Sequence, residues 1–332
     1  MDSLLFLTHL FIFPIYSMRI AIIDLGTNTF NLFISEILPG NCFKEIHNSK
    51  TSVKLGEGGI NKNHIQALPF ERGINAIKKF KEVIDEYRVN KILAFATSAI
   101  RSADNCNDFI LTVKKSTNID VQIISGEKEA ELIYYGVKSA VTLNDSYSLI
   151  LDIGGGSTEF IIGNKNGIYW KHSFLLGVAR LLEIFNPSDP IKEEEKKVIE
   201  DHIENNLGPL FSILNSPQNP VAINELIGSS GSFDSLAEII AFKYYTPSIL
   251  IGKTEYTFNL NEYEAVYSDI LKSTSKERLA MKGLIRMRVD MIVISAIFVN
   301  YIIQRLKIKT MRLSRYSLKE GALWEVMHSP SK

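Results

Sequence analysis

The sequence predicts an α/β protein of two duplicated domains, each built on a mixed sheet, with a cleft between them. Three observations predict this fold. The chain has 332 residues, more than the roughly 250–300 at which a single hydrophobic core stops growing. Apolar runs with the length of strands alternate with apolar residues at helical spacing. A pattern of acid, glycine, hydroxyl and apolar strand also occurs twice, which indicates an internal repeat.

The first copy of the repeat opens a domain predicted over residues 18–138. Arg19–Asp24 is an apolar run closed by an acid, Leu25–Thr29 (LGTNT) is a turn, and Phe30–Ile37 is the returning strand. The elements that follow are predicted as strands over 42–55, 91–96 and 120–124, and as helices ending near residue 88, within 108–116 and over 127–138. A leading hairpin followed by alternating helices and strands favours a mixed sheet.

The second copy begins 128 residues later, and its domain is predicted over 139–314. Ser148–Asp152 is again an apolar run closed by an acid, and a glycine turn (IGGGS) leads to the strand Thr158–Gly163. The later elements are predicted as helices near 175–185, 192–206, 229–245 and 290–307, and as strands over 222–228 and 309–314. A final amphipathic helix within 315–328 is predicted to pack back on the first domain.

Charge and composition exclude several classes of protein. Lys and Arg total 37, as do Asp and Glu, so the formal net charge is zero. A neutral chain lacks the overall positive charge that is typical of nucleic-acid-binding proteins. Its two cysteines are too few for a disulfide framework or a zinc site, which favours the cytoplasm. Residues 1–17 are apolar but lack the positive segment and the cleavage site of a signal peptide. We therefore expect that the protein starts at Met18, or that residues 1–17 are a disordered or docked extension. Both this segment and 291–303 are shorter than a membrane span, and we expect no membrane partner.

The turn Asp152–Ser157 (DIGGGS) has the composition of a phosphate-binding loop. Three successive glycines let the backbone approach a ligand and turn several N–H groups toward one anion. The carboxylate of Asp152, at the end of a strand, can hold a Mg²⁺ that neutralises the phosphate. The alternative is a glycine-rich hairpin whose acid satisfies its own turn. The corresponding turn at Gly26–Thr29 favours phosphate binding by both copies.

Two helix starts carry further candidates. Thr97 or Ser98 can cap a helix whose free N–H groups attract phosphate, and Arg101 can add a charge-assisted contact. The alternative is an exposed arginine. Glu127 and Glu129 begin the helix that joins the halves, where carboxylates are favoured simply as helix starters. A glutamate at the interdomain cleft can instead act as general base on a water.

The segment Gly228–Asp234 (GSSGSFD) is a third glycine turn before a predicted helix. It is a further candidate for a phosphate contact at a helix N-terminus.

Taken together, these segments resemble the exopolyphosphatase/guanosine pentaphosphate phosphohydrolase family, within the acetate-kinase, Hsp70 and actin superfold. The matching segments are AIIDLGTNTFNLFI, ATSAIR, ISGEKEAELIYYGV, LILDIGGGSTEFI, LGVARL and SRYSLKEGAL. They spread from Ala21 to Leu323, nearly the whole chain. The resemblance implies two actin-like, ribonuclease H-like domains.

The resemblance also implies an activity and its residues. Its substrates would be inorganic polyphosphate, which loses its terminal phosphate, or pppGpp, which loses its 5′ γ-phosphate, in both cases with Mg²⁺. Glu129 rather than Glu127 corresponds to the catalytic glutamate, and Asp152 and Glu159 to the metal-associated acids. The residues expected to bind phosphate, including those of the turn at 228–231, are Gly26, Thr27, Asn28, Thr29, Ser98, Arg101, Gly154, Gly155, Gly156, Ser157, Gly228, Ser229 and Gly231.

Two departures from the family pattern bear on function. The turn at 228–232 reads GSSGS, where family members often have more glycine and threonine. Longer members add helical domains that extend a basic channel, so we expect this chain to be less suited to processive degradation of very long polyphosphate. The alternatives are a kinase of the same superfold, a non-catalytic alarmone-binding module and an actin-like filament protein. We expect a homodimer.

Overall fold

The structure, a computed structural model, describes residues 18–40, 42–216 and 221–329. The predictions for residues 1–17 therefore lie outside the described residues. The described chain folds on two mixed sheets with helices packed on their faces.

The first sheet has five strands in the order β3-β2-β1-β4-β5. Its first three strands form an antiparallel meander, and β4 and β5 run parallel to β1. The strands are β1 (Met18–Leu25), β2 (Thr29–Leu38), β3 (Cys42–Ser52), β4 (Lys91–Ala96) and β5 (Val121–Ile123). The helices of this half are α1 (Ala67–Glu86), α2 (Ser98–Arg101), α3 (Cys106–Thr117) and α4 (Gly126–Ala140), with a 3₁₀ turn at Ile60–Lys62.

The second sheet repeats this order and adds one edge strand. Its order is β10-β11-β9-β6-β7-β8, so that β8-β7-β6-β9-β11 corresponds to the first sheet, strand for strand. The strands are β6 (Ser148–Ile153), β7 (Thr158–Asn164), β8 (Gly167–Phe174), β9 (Glu225–Ser229), β10 (Glu255–Thr257) and β11 (Thr310–Ser314). The shared order confirms the duplicated mixed-sheet fold that the repeat predicts.

The second half carries eight further helices among the described residues. They are α5 (Val178–Phe185), α6 (Glu193–Asn206), α7 (Gly208–Leu214), α8 (Ser230–Tyr244), α9 (Leu260–Lys272), α10 (Ser275–Ala280), α11 (Ile292–Leu306) and α12 (Leu318–His328). Two 3₁₀ turns lie at Pro247–Leu250 and Arg286–Arg288. The apolar stretch near 291–303 forms α11, which is buried in the core of the second half. Within the described ranges, no helix is long and apolar enough to span a bilayer.

Each sheet has its own apolar core, and a third apolar cluster lies between the sheets. This interdomain cluster includes Ile22 of β1, Ile150 of β6 and Leu323 of α12, all fully buried. Helices α4 and α12 cross inside it at backbone distance, because a Cβ on Gly321 would lie 1.7 Å from the carbonyl oxygen of Leu132. Because α4 and α12 both lie in this cluster between the sheets, the domain limits 18–138 and 139–314 remain a prediction.

Candidate active site

The two glycine turns face each other across a cleft with a cavity of about 140 Å³. Turn 26–29 joins β1 to β2, and turn 154–157 joins β6 to β7. Because β1 and β6 occupy equivalent central positions, the duplicated fold brings the turns together at the ends of both strands. The predicted site residues that line the cleft are Gly26, Thr27, Asn28, Thr29, Ser98, Glu129, Asp152, Gly154, Gly155, Gly156, Ser157, Glu159 and Gly231.

The turns approach so closely that they leave no room for side chains on the second one. A Cβ on Gly155 would lie 2.4 Å from Nδ2 of Asn28, and one on Gly156 would lie 2.7 Å from Oγ of Ser98. The Ser98 hydroxyl is buried, and no described residue forms a hydrogen bond with it. A buried polar atom without a partner costs free energy. Its position in the cleft therefore suits a polar ligand.

Helix α5 supports the second glycine turn from below. The N–H of Val178 donates to the carbonyl oxygen of Gly154 at 3.0 Å, and that of Ala179 to Gly155 at 2.8 Å. A Cβ on Gly177 would lie 2.3 Å from the Gly155 backbone. The N–H groups of Gly155, Gly156 and Ser157 donate to no acceptor among the described residues. The carbonyls are thus bound by the helix, while the amides stay free for an anion.

A carboxylate lies at the end of each central strand, and each accepts hydrogen bonds on one of its two oxygens. Asp24 faces Asn31 across the hairpin and accepts a 2.8 Å hydrogen bond from its Nδ2. Asp152 accepts hydrogen bonds on Oδ2 from the hydroxyls of Ser229, at 2.6 Å, and Ser317, at 2.7 Å. The second oxygen of each carboxylate forms no hydrogen bond with a described residue, so it is free to face a ligand.

Glu159 takes the place in the second hairpin that Asn31 has in the first, opposite the strand-end aspartate. Its Oε1 accepts hydrogen bonds from the hydroxyls of Ser157, at 2.7 Å, and Ser173, at 2.6 Å. Burial, followed by the charge of Asp152, raises the pKa of Glu159 to about 7.

Glu129 lies in the first turn of α4, with 8 % of its surface exposed. Burial raises its pKa well above the usual range, and the nearby Glu159 adds to this effect. Arg101 acts in the opposite direction, since its Nη1 lies 2.9 Å from Oε2 of Glu129. The site therefore contains a buried carboxylate whose basicity is increased, held in place by a cation.

Three predicted phosphate-binding residues do not line the cleft. Arg101 donates instead to Glu129 and to the carbonyl oxygen of Ile124. Gly228 lies behind the surface, where a Cβ would be 2.0 Å from the ring of Phe233. Ser229 is fully buried and donates to Asp152. Gly228 thus packs against a helix residue and Ser229 orients a carboxylate, whereas Gly231 of the same turn lines the cleft.

Sequence reasoning missed a basic end of the cleft, formed by Lys50, Arg288, Arg315 and Lys319. These side chains come from β3, from the 3₁₀ turn before α11, from the segment leading into α12 and from the first turn of α12. They surround Asp234. Burial raises the pKa of this carboxyl, and the charges of Lys50 and Arg315 offset only part of that rise. Arg315 and Lys319 belong to the segment SRYSLKEGAL, whereas no local pattern marks Lys50.

Thr97, the alternative cap to Ser98, also lines the cleft, as do Asp24, Asn31, Asp234 and Ser317, which were not among the predicted ligand contacts. The correspondence of Asp24 with Asp152 in the repeat was the signal that could have found Asp24.

A duplicated mixed sheet with facing turns at the ends of its central strands defines an α/β protein of the actin-like class. A family model described as the Ppx/GppA phosphatase family matches residues 33–330. The chain belongs to this family.

Individual relatives agree with this assignment. The crystal structure of an exopolyphosphatase from Cytophaga hutchinsonii is 38 % identical, with a TM-score of 0.87, and the match covers 93 % of this chain and 98 % of that one. Exopolyphosphatase 1 of Mycobacterium bovis is 26 % identical over 313 residues, covering 94 % of this chain and 89 % of the relative. A bifunctional 3-dehydroquinate synthase/phosphatase of Fusobacterium nucleatum is 38 % identical over 201 residues, or 57 % of this chain and 30 % of the relative.

Proposed function

We propose that the protein hydrolyses phosphoanhydride bonds and releases the terminal phosphate of inorganic polyphosphate, with pppGpp as a second candidate substrate. One observation carries the proposal: the buried carboxylate of Glu129 lies in the same cleft as two facing glycine turns. The two relatives named as exopolyphosphatases support polyphosphate as the substrate class.

Glu129 acts as the general base in this proposal. A base works best when its pKa is close to the working pH, and burial moves the pKa of Glu129 in that direction. The carboxylate takes a proton from a water, whose oxygen forms a bond to the terminal phosphorus. The bridging P–O bond breaks, and the leaving phosphate chain keeps its electron pair. Positioning and charge neutralisation supply most of the acceleration in such transfers.

In this proposal, the glycine turns and the basic end bind different parts of the substrate. The free N–H groups of Gly155, Gly156 and Ser157 hold the phosphate that is transferred. The cations of the basic end take up the charge of the remaining chain. Of the two candidates, polyphosphate carries phosphate charge along its whole length, which suits a row of cations from both halves of the molecule.

Mg²⁺ is part of the proposal through Asp152 and Glu159. Mg²⁺ at phosphate sites commonly binds one or two carboxylates and completes its coordination with water and phosphate oxygens. The described residues form no cluster of three or more potential metal ligands, so they fit that shared mode rather than an all-protein cage. When bound, the ion would neutralise phosphate charge.

The test is phosphate release, measured side by side on short and long polyphosphate, pppGpp and ATP. We expect Glu129→Gln to lower kcat by about 10²–10⁴-fold while substrate still binds, because the amide cannot accept the proton. The matched control is Glu127→Gln, in the same helical turn with its side chain half exposed, which should stay within about twofold of wild type.

Three results would contradict the proposal. Activity that survives Glu129→Gln removes this residue from the role of base. Tight binding of pppGpp without release of phosphate would indicate a sensor, and transfer of phosphate from ATP to an acceptor would indicate a kinase.

A further inference from the structure

Arg180, in α5, is a buried cation that the proposed chemistry does not use. Only 5 % of its surface is exposed. No carboxylate of the described residues forms an ion pair with it. Its hydrogen-bond partners are neutral oxygens, and they belong to both halves of the molecule.

The guanidinium joins the second glycine turn to the first domain. Its Nε donates to the carbonyl oxygen of Gly156 at 2.8 Å. Nη1 donates to the carbonyl oxygen of Ile60 at 2.6 Å, and Nη2 to the hydroxyl of Ser102 at 3.1 Å. The side chain of Asn61 returns a hydrogen bond to the Arg180 carbonyl oxygen at 3.2 Å. One side chain therefore binds the phosphate loop, the 3₁₀ turn 60–62 and the end of α2.

These contacts depend on how close the two domains are. If the domains separated, Arg180 would keep Gly156, which lies in its own half, and would lose Ile60 and Ser102. The planar guanidinium makes its hydrogen bonds in fixed directions, so it can satisfy its acceptors in both halves only in the closed arrangement. In that arrangement Ser98 also lies against Gly156.

We propose that Arg180 is a positioning residue that couples closure of the two domains to the placement of the second glycine turn. It touches neither the water nor the phosphate. It fixes Gly156 relative to the first-domain groups that share the substrate. The kinetic consequence rests on the proposed function, whereas the structural consequence does not.

The structural consequence is tested by hydrogen exchange of the full chain. In Arg180→Met, amide exchange in segments 56–63 and 154–160 should rise about tenfold or more, because local opening becomes easier. The matched control is Arg278→Met. Arg278 is equally buried, with 5 % exposed, but its partners Ser273, Asp189 and Val289 all lie in the second half.

The kinetic consequence is tested with the same variants and phosphate release from polyphosphate. Arg180→Met should lower kcat/KM by about 10–100-fold, as expected for a displaced binding group, and Arg180→Lys should lie between it and wild type. Arg278→Met should lose thermal stability but keep kcat/KM. Guanidinium ion at low millimolar concentration should partly restore Arg180→Ala, which a merely unstable protein would not show.

Ser102→Ala provides a second route if Arg180 variants fold poorly. It removes one acceptor in the first domain and leaves Arg180 intact. On its own it should raise amide exchange in segments 56–63 and 154–160 and lower kcat/KM, in the same direction as Arg180→Met but by a smaller factor. Equal behaviour of the Arg180 and Arg278 variants in both exchange and kinetics would overturn the coupling. If wild type releases no phosphate from any substrate, the proposed function fails, and the exchange result alone decides the coupling.

Discussion

At the scale of single residues, the cleft holds ionisable groups under conditions that oppose ionisation. Asp24, Glu129 and Glu159 are each removed from water, and burial is the largest cause of the raised pKa in all three. Close carboxylates also disfavour one another's charge. In the proposed function, a bound cation would relieve the repulsion between these carboxylates.

Asp24 offers a direct test of the free-energy cost of ionising a buried carboxyl group. In the unfolded chain it ionises near pH 4, but burial raises its pKa to about 6 in the folded protein. The folded state therefore holds an additional proton between these values, and the free energy of unfolding falls as pH rises through this window. We expect Asp24→Asn to raise the free energy of unfolding by roughly 1–3 kcal/mol at pH 8 and by close to zero at pH 4.

Urea unfolding without metal ions, at pH 4, 6 and 8, measures this difference. The control is Asp120→Asn, whose side chain is 87 % exposed and pairs with Lys114. It should change stability by less than about 0.5 kcal/mol at each pH. A gain for Asp24→Asn that does not grow between pH 4 and pH 6 would mean that the Asp24 carboxyl ionises freely.

At the scale of single elements, α5 determines the shape of the second glycine turn. The helix begins directly beneath the turn, and its first N–H groups bind the turn's carbonyl oxygens. This contact requires glycine at position 177, where any side chain would overlap the Gly155 backbone. The second glycine turn is therefore shaped by two segments of sequence that are separated by β7 and β8.

Gly177→Ala should displace the turn from the helix. The added Cβ would lie 2.3 Å from backbone atoms, which cannot rotate away as a side chain can. We expect kcat/KM for phosphate release to fall by about 10–100-fold. Gly208→Ala is the matched control, since Gly208 begins α7 and has nothing within 4 Å of an added Cβ. It should keep full activity and gain up to about 1 kcal/mol of stability. Equal activity of the two variants would show that the turn tolerates the displacement.

At the scale of the whole molecule, the interdomain cluster joins the two sheets into one unit. Residues of β1, β6, α4 and α12 meet there without exposed surface. Because neither half can unfold without uncovering this cluster, we expect one cooperative transition for both halves.

Leu323→Ala tests this cooperativity. Leu323 is fully buried in α12, and removing it should cost about 2–5 kcal/mol. The transition followed by circular dichroism, which reports both halves, should shift together with that of the fluorescence of Trp170 and Trp324. Leu279→Ala, at a site 54 % exposed, should shift neither. Two separated transitions in wild type would contradict the single unit.

The sequence determines elements whose signals are local. Strand β4 has the predicted limits 91–96, and the hairpins around both glycine turns agree within two residues. Strand β8 was missed because its residues are almost all half-buried and show no clear alternation. Helix α9 was missed as well.

The residues of the cleft also divide into those that a local signal predicts and those that it does not. The glycine turns and Glu129 follow from short motifs, whereas Lys50 and Arg288 reach the cleft only through tertiary packing. The turn at 228–231 is split, with Gly231 lining the cleft and Gly228 and Ser229 behind it, because one local pattern serves both ligand loops and packed turns. Mg²⁺, pppGpp, the cytoplasmic location and the homodimer stay predictions.

The hydroxyl of Ser317 on Asp152 has a consequence for synthesis of the chain. A ribosome makes β1 and its turn first, and domains fold in that order as they emerge. Ser317 and Lys319, which complete the cleft, are made almost 300 residues after Asp24. A nascent chain can thus fold the first sheet and pair strands β6 to β9 of the second while Asp152 still lacks one of its two hydroxyl partners. The last residues that line the cleft arrive with α12, after most of the architecture is already in place.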